Sequence, residues 1–557
     1  MFPLRRIFIK KNLIIRPLSN KRQTATNIQE IEVKSVFHNV SSYKNKTAII
    51  DNTGNYTFGS IFAEADSLSK KIVIQLNGKT GERVLFLCPN DASYVVTIWA
   101  IWLAGQIAVP LSPLHPESLL EYYVEDTKSQ LLLSSLQFEN QMGELSKKLN
   151  KSLMVLDNNL LKLDSSKRVI DDSSQDSLLP YVKSEAMILY TSGTTGKPKG
   201  VVLTHKNIFT QMKILTESWK WSDKDVILHT LPLHHVHGTI NALFCPLFMG
   251  ATTIMLPKFN AKEVWSYLLN RQNKNNDKVS VFMAVPTIYS KLVEEFNNNL
   301  HKEAEDIRQY LVNNFRLMVS GSAPLPEPLF NRWYEITGHQ LLERYGMTEI
   351  GMCLSNAYKA EREPGYVGLP LPTVSVALAD QETGKILLKY DENTANSNLE
   401  DVSGELLVKG DSVFKEYFNK PKETAKEFNQ DGWFKTGDMA QYVKNKNKIK
   451  MLGRKSVDII KSGGYKISAL QIETLLLAHP DIKECAVLGV PDVTYGEKVA
   501  AVLVLEEGHK IDFEDLREWA KEKMPKYWIP SILKIVKEIP KNAMGKINKK
   551  ALLKELF

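Results

Sequence analysis

The chain has few cysteines, and they do not indicate a disulfide-stabilised or zinc-binding protein. Its 557 residues include four cysteines. They are Cys88, Cys245, Cys353 and Cys485. No two of them have the C-x-x-C spacing of a redox motif or the spacing of zinc ligands. We therefore expect reduced, buried thiols, as in an intracellular compartment.

Long apolar runs are missing as well. The longest, YVVTIWAIWLAGQIAVPL (residues 94–111), is interrupted by Thr97, Gly105 and Pro110. A membrane-spanning helix needs about 20 predominantly apolar residues. The run therefore predicts a buried helix followed by a strand, and no membrane span.

Acidic residues are absent from positions 1–29, which hold seven Lys or Arg. The formal net charge is +8, so the chain from Glu30 onward carries only +1. That balance leaves no electrostatic footprint for nucleic acid. A basic, acid-free N-terminus with Ser and Thr predicts a mitochondrial transit peptide and location in the matrix. The alternative is a disordered basic tail.

Short β-branched runs alternate with helical patterns along most of the chain. Examples are RVLFL, SLMVL, VSVFMAVP and FRLMVS. Such alternation predicts an α/β fold with largely parallel sheets. After Gly453 shorter strands and helices follow, as in a small α+β domain. We divide the chain into a transit peptide (1–29), a large N-terminal domain (30–453) and a small C-terminal domain (454–557).

The segment YTSGTTGKPKG, from Tyr190 to Gly200, predicts a phosphate-binding loop. Small residues and glycines let backbone N–H groups converge on phosphate oxygens, and lysines add positive charge. A Walker A loop requires Ser or Thr after its lysine, but Pro198 follows Lys197 here. The candidate nucleotide contacts are Thr191, Ser192, Gly193, Thr194, Thr195, Gly196, Lys197, Pro198 and Lys199.

Four more motifs follow this loop in a fixed order. They are ERYGMTE, GWFKTGD, GRKSVDIIKSGGYKIS and PKNAMGKI. Together the five motifs resemble those of the adenylate-forming superfamily of acyl-CoA synthetases, luciferases and peptide-synthetase adenylation domains. The resemblance covers residues 190–549, about two-thirds of the chain.

The resemblance implies a large AMP-binding domain and a small mobile domain that together activate an acid in two steps. A carboxylate attacks the α-phosphate of ATP, and the thiol of coenzyme A then displaces AMP. Catalysis of this kind needs alignment and charge neutralisation more than covalent help. Magnesium would accompany ATP.

The resemblance also implies roles for individual residues. Thr348 would bind the α-phosphate, Glu349 would hold Mg²⁺, and Lys546 would neutralise charge during the first step. The nucleoside contacts would be Gly321, Ser322, Ala323, Tyr345, Asp438 and Arg454.

In the second step the small domain would rotate and present its glycine-rich turn to coenzyme A. That turn contains Gly463, Gly464 and Tyr465. The rotation in relatives pivots two residues after the arginine of the G-R motif, often at Asp or Lys. Here that residue is Ser456, a departure that leaves the hinge less well defined.

Arg344 is the unusual residue of the ERYGMTE motif, because acyl-activating relatives usually carry a small residue there. A buried guanidinium is costly without an anion, and a second carboxylate on the substrate would form a bidentate pair with it. Glu343 is the alternative partner, although adjacent side chains of an extended segment point opposite ways. His235 and His237 would also line the acyl pocket. Arg316 is either a further carboxylate contact or a solvated residue.

ERYGMTE, SGSAPL and HVHG together most resemble the malonyl-CoA synthetases. This implies malonate as the substrate, with methylmalonate as a related acid. One alternative is a medium-chain or aromatic acyl-CoA synthetase in which Arg344 pairs with Glu343. Another is a non-catalytic nucleotide- or CoA-binding protein, and a luminescent oxidase would need a specialised aromatic pocket.

Overall fold

The computed structural model describes residues 33–156, 184–191, 197–272, 277–391, 394, 400–541 and 547–557. Three predictions lie outside these residues. They concern the transit peptide 1–29, the loop residues 192–196 and Lys546.

Three sheets organise the described residues, and the fold is α/β as predicted. The prediction of largely parallel sheets is wrong: all three sheets are mixed, because hairpins at their edges add antiparallel strands to the parallel ones. The largest has fourteen strands. In spatial order they are Ile386–Tyr390, Ser375–Ala379, Val402–Lys409, Phe434–Val443, Lys448–Arg454, Tyr366–Pro370, Gly351–Ser355, Leu342–Met347, Leu317–Ser320, Val281–Ala284, Val226–His229, Thr252–Met255, Thr47–Ile50 and Asn55–Thr57. The pairs from Thr47–Ile50 to Leu342–Met347 are parallel, and the outer pairs are antiparallel.

The second sheet has seven strands, and it carries the candidate phosphate loop. In order they are Glu416–Tyr417, Lys199–Thr204, Glu185–Thr191, Ile107–Pro110, Arg83–Leu87, Leu131–Ser135 and Ser152–Leu156. The predicted strands RVLFL and SLMVL are both here. RVLFL is a continuous apolar run because this parallel strand is covered on both faces, whereas SLMVL is the edge strand and is largely half-buried.

The third sheet belongs to the C-terminal part of the chain. Its strands are Tyr465–Ser468, Ile459–Ser462, Gly496–Leu505, Ile482–Asp492 and Ile532–Ile535, the last paired with Gly496–Leu505. Alternate residues of Ile482–Asp492 enter two separate cores, with Cys485 and Val487 in one and Ala486 and Leu488 in the other. Both faces are therefore covered, as expected for a small α+β unit.

Helices pack against the sheets and connect their strands. The α-helices are Val40–Tyr43, Phe58–Gln75, Ala92–Leu103, Glu117–Thr127, Glu139–Leu149, His205–Ser218, Cys245–Met249, Ala261–Leu268, Pro286–Glu295, Ala304–Asn314, Glu327–Thr337, Pro421–Glu427, Ala469–Leu476, Phe513–Lys521 and Lys549–Leu556. His237–Phe244 and Phe296–Leu300 are π-helical. Short 3-10 turns are Leu136–Phe138, His301–Glu303, Lys444–Lys446 and Lys526–Trp528.

The longest apolar run forms the predicted helix and strand. The helix Ala92–Leu103 is capped by the Asp91 side chain, which accepts the N–H of Ser93, and the strand Ile107–Pro110 is fully buried. Among the residues that the structure describes, none of the helices combines the length and hydropathy needed to cross a bilayer.

Candidate active site

Two hairpins of the large sheet bring together several of the predicted nucleotide contacts. The strands Leu342–Met347 and Gly351–Ser355 are antiparallel, and Thr348 and Glu349 lie in the turn between them. Tyr345, on the first strand, donates a hydrogen bond from its hydroxyl to Asp438 Oδ2 at 2.5 Å. Burial, and then the charge of Asp438, raise the pKa of Tyr345 well above its usual value.

Asp438 and Arg454 face each other in the second hairpin. They are register partners on the antiparallel strands Phe434–Val443 and Lys448–Arg454. Arg454 Nε lies 3.2 Å from Asp438 Oδ1. Tyr345, Asp438 and Arg454 therefore form one connected polar group, although Tyr345 and Asp438 are 93 positions apart in sequence.

The base of the candidate phosphate loop is a strand pair. Thr191 pairs with Lys199, and Tyr190 pairs with Gly200. The Tyr122 hydroxyl donates to the Pro198 carbonyl oxygen at 2.8 Å, and exposed Lys197 places its Nζ 5.0 Å from the centroid of the Tyr122 ring. The chain thus enters and leaves the loop at fixed points.

Lys199 points towards the neighbourhood of Glu349. Its Nζ lies 4.1 Å from the centroid of the Tyr417 ring and 3.4 Å from Glu427 Oε1. The Tyr417 hydroxyl in turn donates to Glu349 Oε1 at 2.9 Å. Burial raises the pKa of the Glu349 carboxyl, and the Tyr417 hydrogen bond opposes that shift.

Glu349 fits the magnesium role that the motif implies. Mg²⁺ is usually held by one or two protein carboxylates together with substrate phosphates and water. Within the described ranges, no cluster of three or more His, Cys, Asp or Glu side chains forms a closed metal cage. A single buried carboxylate linked through Tyr417 to the phosphate-loop strand suits a cation carried mainly by the nucleotide.

Arg344 is buried, with 4% of its surface exposed. Its Nε and Nη2 have no hydrogen-bond partner among the described residues. Burial lowers the pKa of Arg344 to about 9, which still leaves a cation at neutral pH.

The neighbouring carboxylate of Glu343 does not serve as the anion for Arg344. Glu343 Oε1 accepts the backbone N–H of Gly365 at 2.8 Å, and burial raises the pKa of Glu343 to about 8. No ion pair joins the two side chains in the described part of the chain, in keeping with their positions on an extended strand.

Gly321 makes the space in which the guanidinium lies. A Cβ at this position would come within 2.6 Å of Arg344 Nε, closer than real Cβ contacts allow. Ser322 follows with φ +70°, and Ser322 and Ala323 are exposed. The SGSAPL segment therefore packs its backbone against Arg344, and any larger residue at 321 would displace the cation.

His237 borders the same space. It begins the π-helix His237–Phe244, and its Nδ1 lies 3.2 Å from Ser322 Oγ. Burial, and then the nearby charge of Arg344, lower the pKa of His237 well below its usual value, so the ring is neutral. His235 is half-buried, and its ring centroid lies 4.1 Å from that of His234.

Arg316 has a different role from either of those considered for it. Its guanidinium pairs with the buried carboxylate of Asp225, Nε to Oδ1 at 2.5 Å and Nη2 to Oδ2 at 2.9 Å. Its Nη1 donates to the Trp219 carbonyl oxygen. Arg316 is thus neither a free carboxylate contact nor a solvated residue, because Asp225 already satisfies it.

The glycine-rich turn lies in the C-terminal sheet. Gly463 and Gly464, at φ +55° and +85°, join the strands Ile459–Ser462 and Tyr465–Ser468. Tyr465 is exposed and stacks on Tyr527 with centroids 4.3 Å apart. Within the described ranges, no hydrogen bond or ion pair joins this turn to Arg344 or Glu349. Ser456 is exposed in the turn after Arg454.

Tyr417 and Tyr122 are contacts of the site that the sequence patterns did not single out. Tyr417 is the one that reaches Glu349. It lies in KEYFNKP, 68 residues after Glu349, and no spacing rule joins the two. The only local signal is a short β-prone segment before a Pro, which indicates a strand but not its neighbour.

This geometry agrees with the nucleotide-binding class that the motifs indicate. Residues 36–418 match the model of the AMP-binding enzyme family, and residues 471–546 match that of the AMP-binding enzyme C-terminal domain. The chain belongs to the AMP-binding enzyme family.

Curated relatives match over nearly the whole chain. "Malonate--CoA ligase ACSF3, mitochondrial" of Xenopus laevis is 45% identical, over 94% of this chain and 92% of its own. "Malonate--CoA ligase" of Arabidopsis thaliana is 39% identical, over 94% and 88%. The crystal structure of ATP-bound MatB from Rhodopseudomonas palustris has a TM-score of 0.79 at 29% identity, over 93% and 98%.

Proposed function

We propose that this protein is an ATP-dependent malonate–CoA ligase that forms malonyl-CoA through an acyl-adenylate and releases AMP and pyrophosphate. Methylmalonate is a second acid of the same class. The observation that supports a dicarboxylate substrate is Arg344, a buried cation whose Nε and Nη2 have no hydrogen-bond partner among the described residues. The malonate–CoA ligases of Xenopus laevis and Arabidopsis thaliana support the same substrate.

In the first step one carboxylate of malonate attacks the α-phosphorus of ATP, and pyrophosphate leaves. The phosphate loop 191–199 would hold the β- and γ-phosphates, and Thr348 the α-phosphate. The other carboxylate would accept a charge-assisted pair from Arg344, with neutral His237 and half-buried His235 beside it. A substrate held at its far end keeps its reacting carboxylate aligned, which is most of what this chemistry requires.

The nucleoside would be held by Tyr345, by the backbone of 321–323 and by the Asp438–Arg454 pair. When bound through Glu349, Mg²⁺ would neutralise phosphate charge and hold the polyphosphate in place. In the second step the thiolate of coenzyme A attacks the acyl carbon and AMP leaves. Gly463, Gly464 and Tyr465 would border the path of the pantetheine chain, after the C-terminal domain has rotated about Ser456.

The substrate is tested with purified protein lacking residues 1–29, supplied with ATP, Mg²⁺ and CoA. Pyrophosphate release is measured with malonate, methylmalonate, succinate, oxalate, octanoate and 4-coumarate. Strong preference for malonate is expected. Preference for octanoate would exclude malonate as the substrate but keep the ligase chemistry. No pyrophosphate release with any acid would favour a non-catalytic nucleotide- or CoA-binding protein.

Lys546, outside the described residues, is proposed to act only in the first step. Lys546→Ala should lower pyrophosphate release by orders of magnitude because the charge that builds on the reacting groups is no longer neutralised. Thioester formation from preformed malonyl-AMP should be largely kept. Equal loss in both half-reactions would refute the domain rotation.

We also propose the mitochondrial matrix as the location. The basic, acid-free segment 1–29 and relatives named as mitochondrial in animals support it. Fusion of residues 1–29 to a fluorescent protein should carry it to the matrix, whereas replacing the seven basic residues by Gln should leave it outside. Matrix import of the Gln variant would contradict the proposal.

A further inference from the structure

We infer that Tyr417 is a positioning residue of the ligase reaction, which holds the Glu349 carboxylate in the orientation that receives Mg²⁺. The inference rests on the proposed function, because Glu349 is proposed there to hold the metal. Tyr417 itself would touch neither substrate nor metal in this arrangement.

The first argument is that Glu349 is held twice by one short segment. The Tyr417 hydroxyl donates to Glu349 Oε1 at 2.9 Å, and the Phe414 backbone N–H donates to the Glu349 carbonyl oxygen at 2.7 Å. Both the side chain and the backbone of Glu349 are therefore fixed by residues 414–417. A carboxylate with one oxygen occupied in this way has a defined direction for the other.

The second argument is that the same segment is bonded to the strand that leaves the phosphate loop. Glu416 and Tyr417 pair with Val202 and Val201, and Phe418 N–H donates to the Gly200 carbonyl oxygen at 2.8 Å. The segment thus connects the carboxylate proposed to bind the metal with the strand Lys199–Thr204, which leaves the proposed phosphate loop. Such a support is what keeps a metal ligand in its productive orientation.

The third argument is the Tyr417 ring itself. Tyr417 is 3% exposed. Its ring packs edge-on against Phe414 with centroids 4.8 Å apart, and its centroid lies 4.1 Å from Lys199 Nζ. One side chain therefore contacts both the proposed metal ligand and a lysine of the phosphate motif. A packed ring with a single hydrogen-bonded hydroxyl has one orientation available to it.

The test is Tyr417→Phe, which removes the hydroxyl and keeps the ring, in protein lacking residues 1–29. Pyrophosphate release with malonate is measured across Mg²⁺ concentrations. The Mg²⁺ concentration at half-maximal rate should rise about tenfold, because a hydrogen bond to a charged group is lost. The malonate KM at saturating Mg²⁺ should stay within about twofold of wild type.

A second readout does not depend on turnover. ATP should raise the melting temperature of wild type more with Mg²⁺ than with EDTA, and Tyr417→Phe should lose most of that Mg²⁺-dependent difference while keeping the part seen in EDTA. The matched control is Tyr442→Phe, a buried tyrosine whose hydroxyl donates to Asn447 Oδ1 at 2.9 Å. It should leave both Mg²⁺ readouts unchanged.

A double-mutant cycle with Glu349→Gln separates a positioning role from a general one. If Tyr417 acts only through Glu349, adding Tyr417→Phe to Glu349→Gln should cost nothing further in Mg²⁺ dependence. Additive losses, an unchanged Mg²⁺ dependence in Tyr417→Phe, or a parallel rise in the malonate KM would each overturn the inference.

Two further measurements apply if the variant does not fold or if the wild-type protein is inactive. If Tyr417→Phe does not fold, 3-fluorotyrosine at position 417 keeps the ring and makes the hydroxyl a better donor, so the half-maximal Mg²⁺ concentration should fall. An unchanged value would overturn the inference. If wild type releases no pyrophosphate with any acid, the proposed function fails, and the Mg²⁺-dependent shift with ATP still tests Tyr417.

Discussion

Arg344 and Lys549 are both buried cations, but their surroundings differ completely. Lys549 Nζ lies 2.5 Å from Asp458 Oδ1 and 2.7 Å from Glu473 Oε1. Burial lowers the pKa of Lys549, but the two carboxylates outweigh it and the pKa is raised. Arg344 has no such carboxylate in the described ranges, and burial alone lowers its pKa to about 9.

The difference separates a cation that serves the fold from one proposed to serve a ligand. Asp458 also accepts the Arg454 backbone N–H at 2.8 Å. Lys549 therefore ties the helix Lys549–Leu556 to the turn that follows the strand Lys448–Arg454. Arg316 resembles Lys549 in this respect, because its guanidinium is paired with the protein carboxylate of Asp225. Burial alone does not distinguish the two cations; the presence or absence of a protein carboxylate does.

Lys549→Met should have the largest effect on stability. It leaves two buried carboxylates without their cation, and breaking such a pair costs about 3–5 kcal/mol of unfolding free energy. Urea denaturation measures the change. The adjacent exposed Lys550 is the control, since Lys550→Met should change stability by less than about 0.5 kcal/mol. Equal losses of stability in the two variants would show that the paired Lys549 is no more important to the fold than the exposed Lys550.

Arg344→Met should lower activity without lowering stability, the opposite of Lys549→Met. The buried charge disappears with no protein anion left behind, so the melting temperature should hold or rise. The malonate kcat/KM should fall about 100-fold, as expected when a buried charge pair with the substrate is lost. Steady-state kinetics and thermal denaturation on the same preparation measure both. Unchanged malonate kinetics would show that Arg344 does not bind the second carboxylate.

Gly321→Ala should weaken malonate binding without removing the cation. The added methyl group would displace the guanidinium, because its Cβ falls within 2.6 Å of Arg344 Nε. We expect the malonate KM to rise about tenfold, since one charge-assisted contact is misplaced. The ATP KM should change little. Equal rises in both KM values would mean that the methyl group disturbs the nucleotide instead.

Glu343→Gln should change only the pH dependence of stability. The folded-state pKa of Glu343 is raised to about 8, so the folded protein keeps a proton that the unfolded chain releases near its ordinary value. Stability from this group is therefore complete at low pH and is lost as pH rises towards about 8, by about 1 kcal/mol per pH unit. Glu343→Gln should remove that slope; a slope of opposite sign would mean that Glu343 pairs with Arg344.

Much of the fold was predictable because burial leaves a pattern in the sequence. RVLFL and FRLMVS became the strands Arg83–Leu87 and Leu317–Ser320, since buried parallel strands need continuous apolar residues. The opposite orientations of Glu343 and Arg344 followed from strand geometry alone.

Contacts between distant segments left no such pattern. The Tyr345–Asp438 and Tyr417–Glu349 hydrogen bonds join residues 93 and 68 positions apart. Arg316 looked available until Asp225, 91 positions earlier, was found against it. Sequence also cannot distinguish Lys549 from Lys550, since adjacent lysines of a helical tail have the same composition around them and only packing separates them.

The unsatisfied guanidinium of Arg344 has a consequence for how much of this enzyme a cell contains. A dicarboxylate that binds only the folded chain adds RT ln(1 + [L]/Kd) to its stability, about 2.7 kcal/mol at 100 times Kd. Quality control degrades marginally stable chains faster, so changes of 1–2 kcal/mol alter abundance several-fold. Cells poor in malonate should therefore hold less of the protein, and its half-life would track the supply of its own substrate.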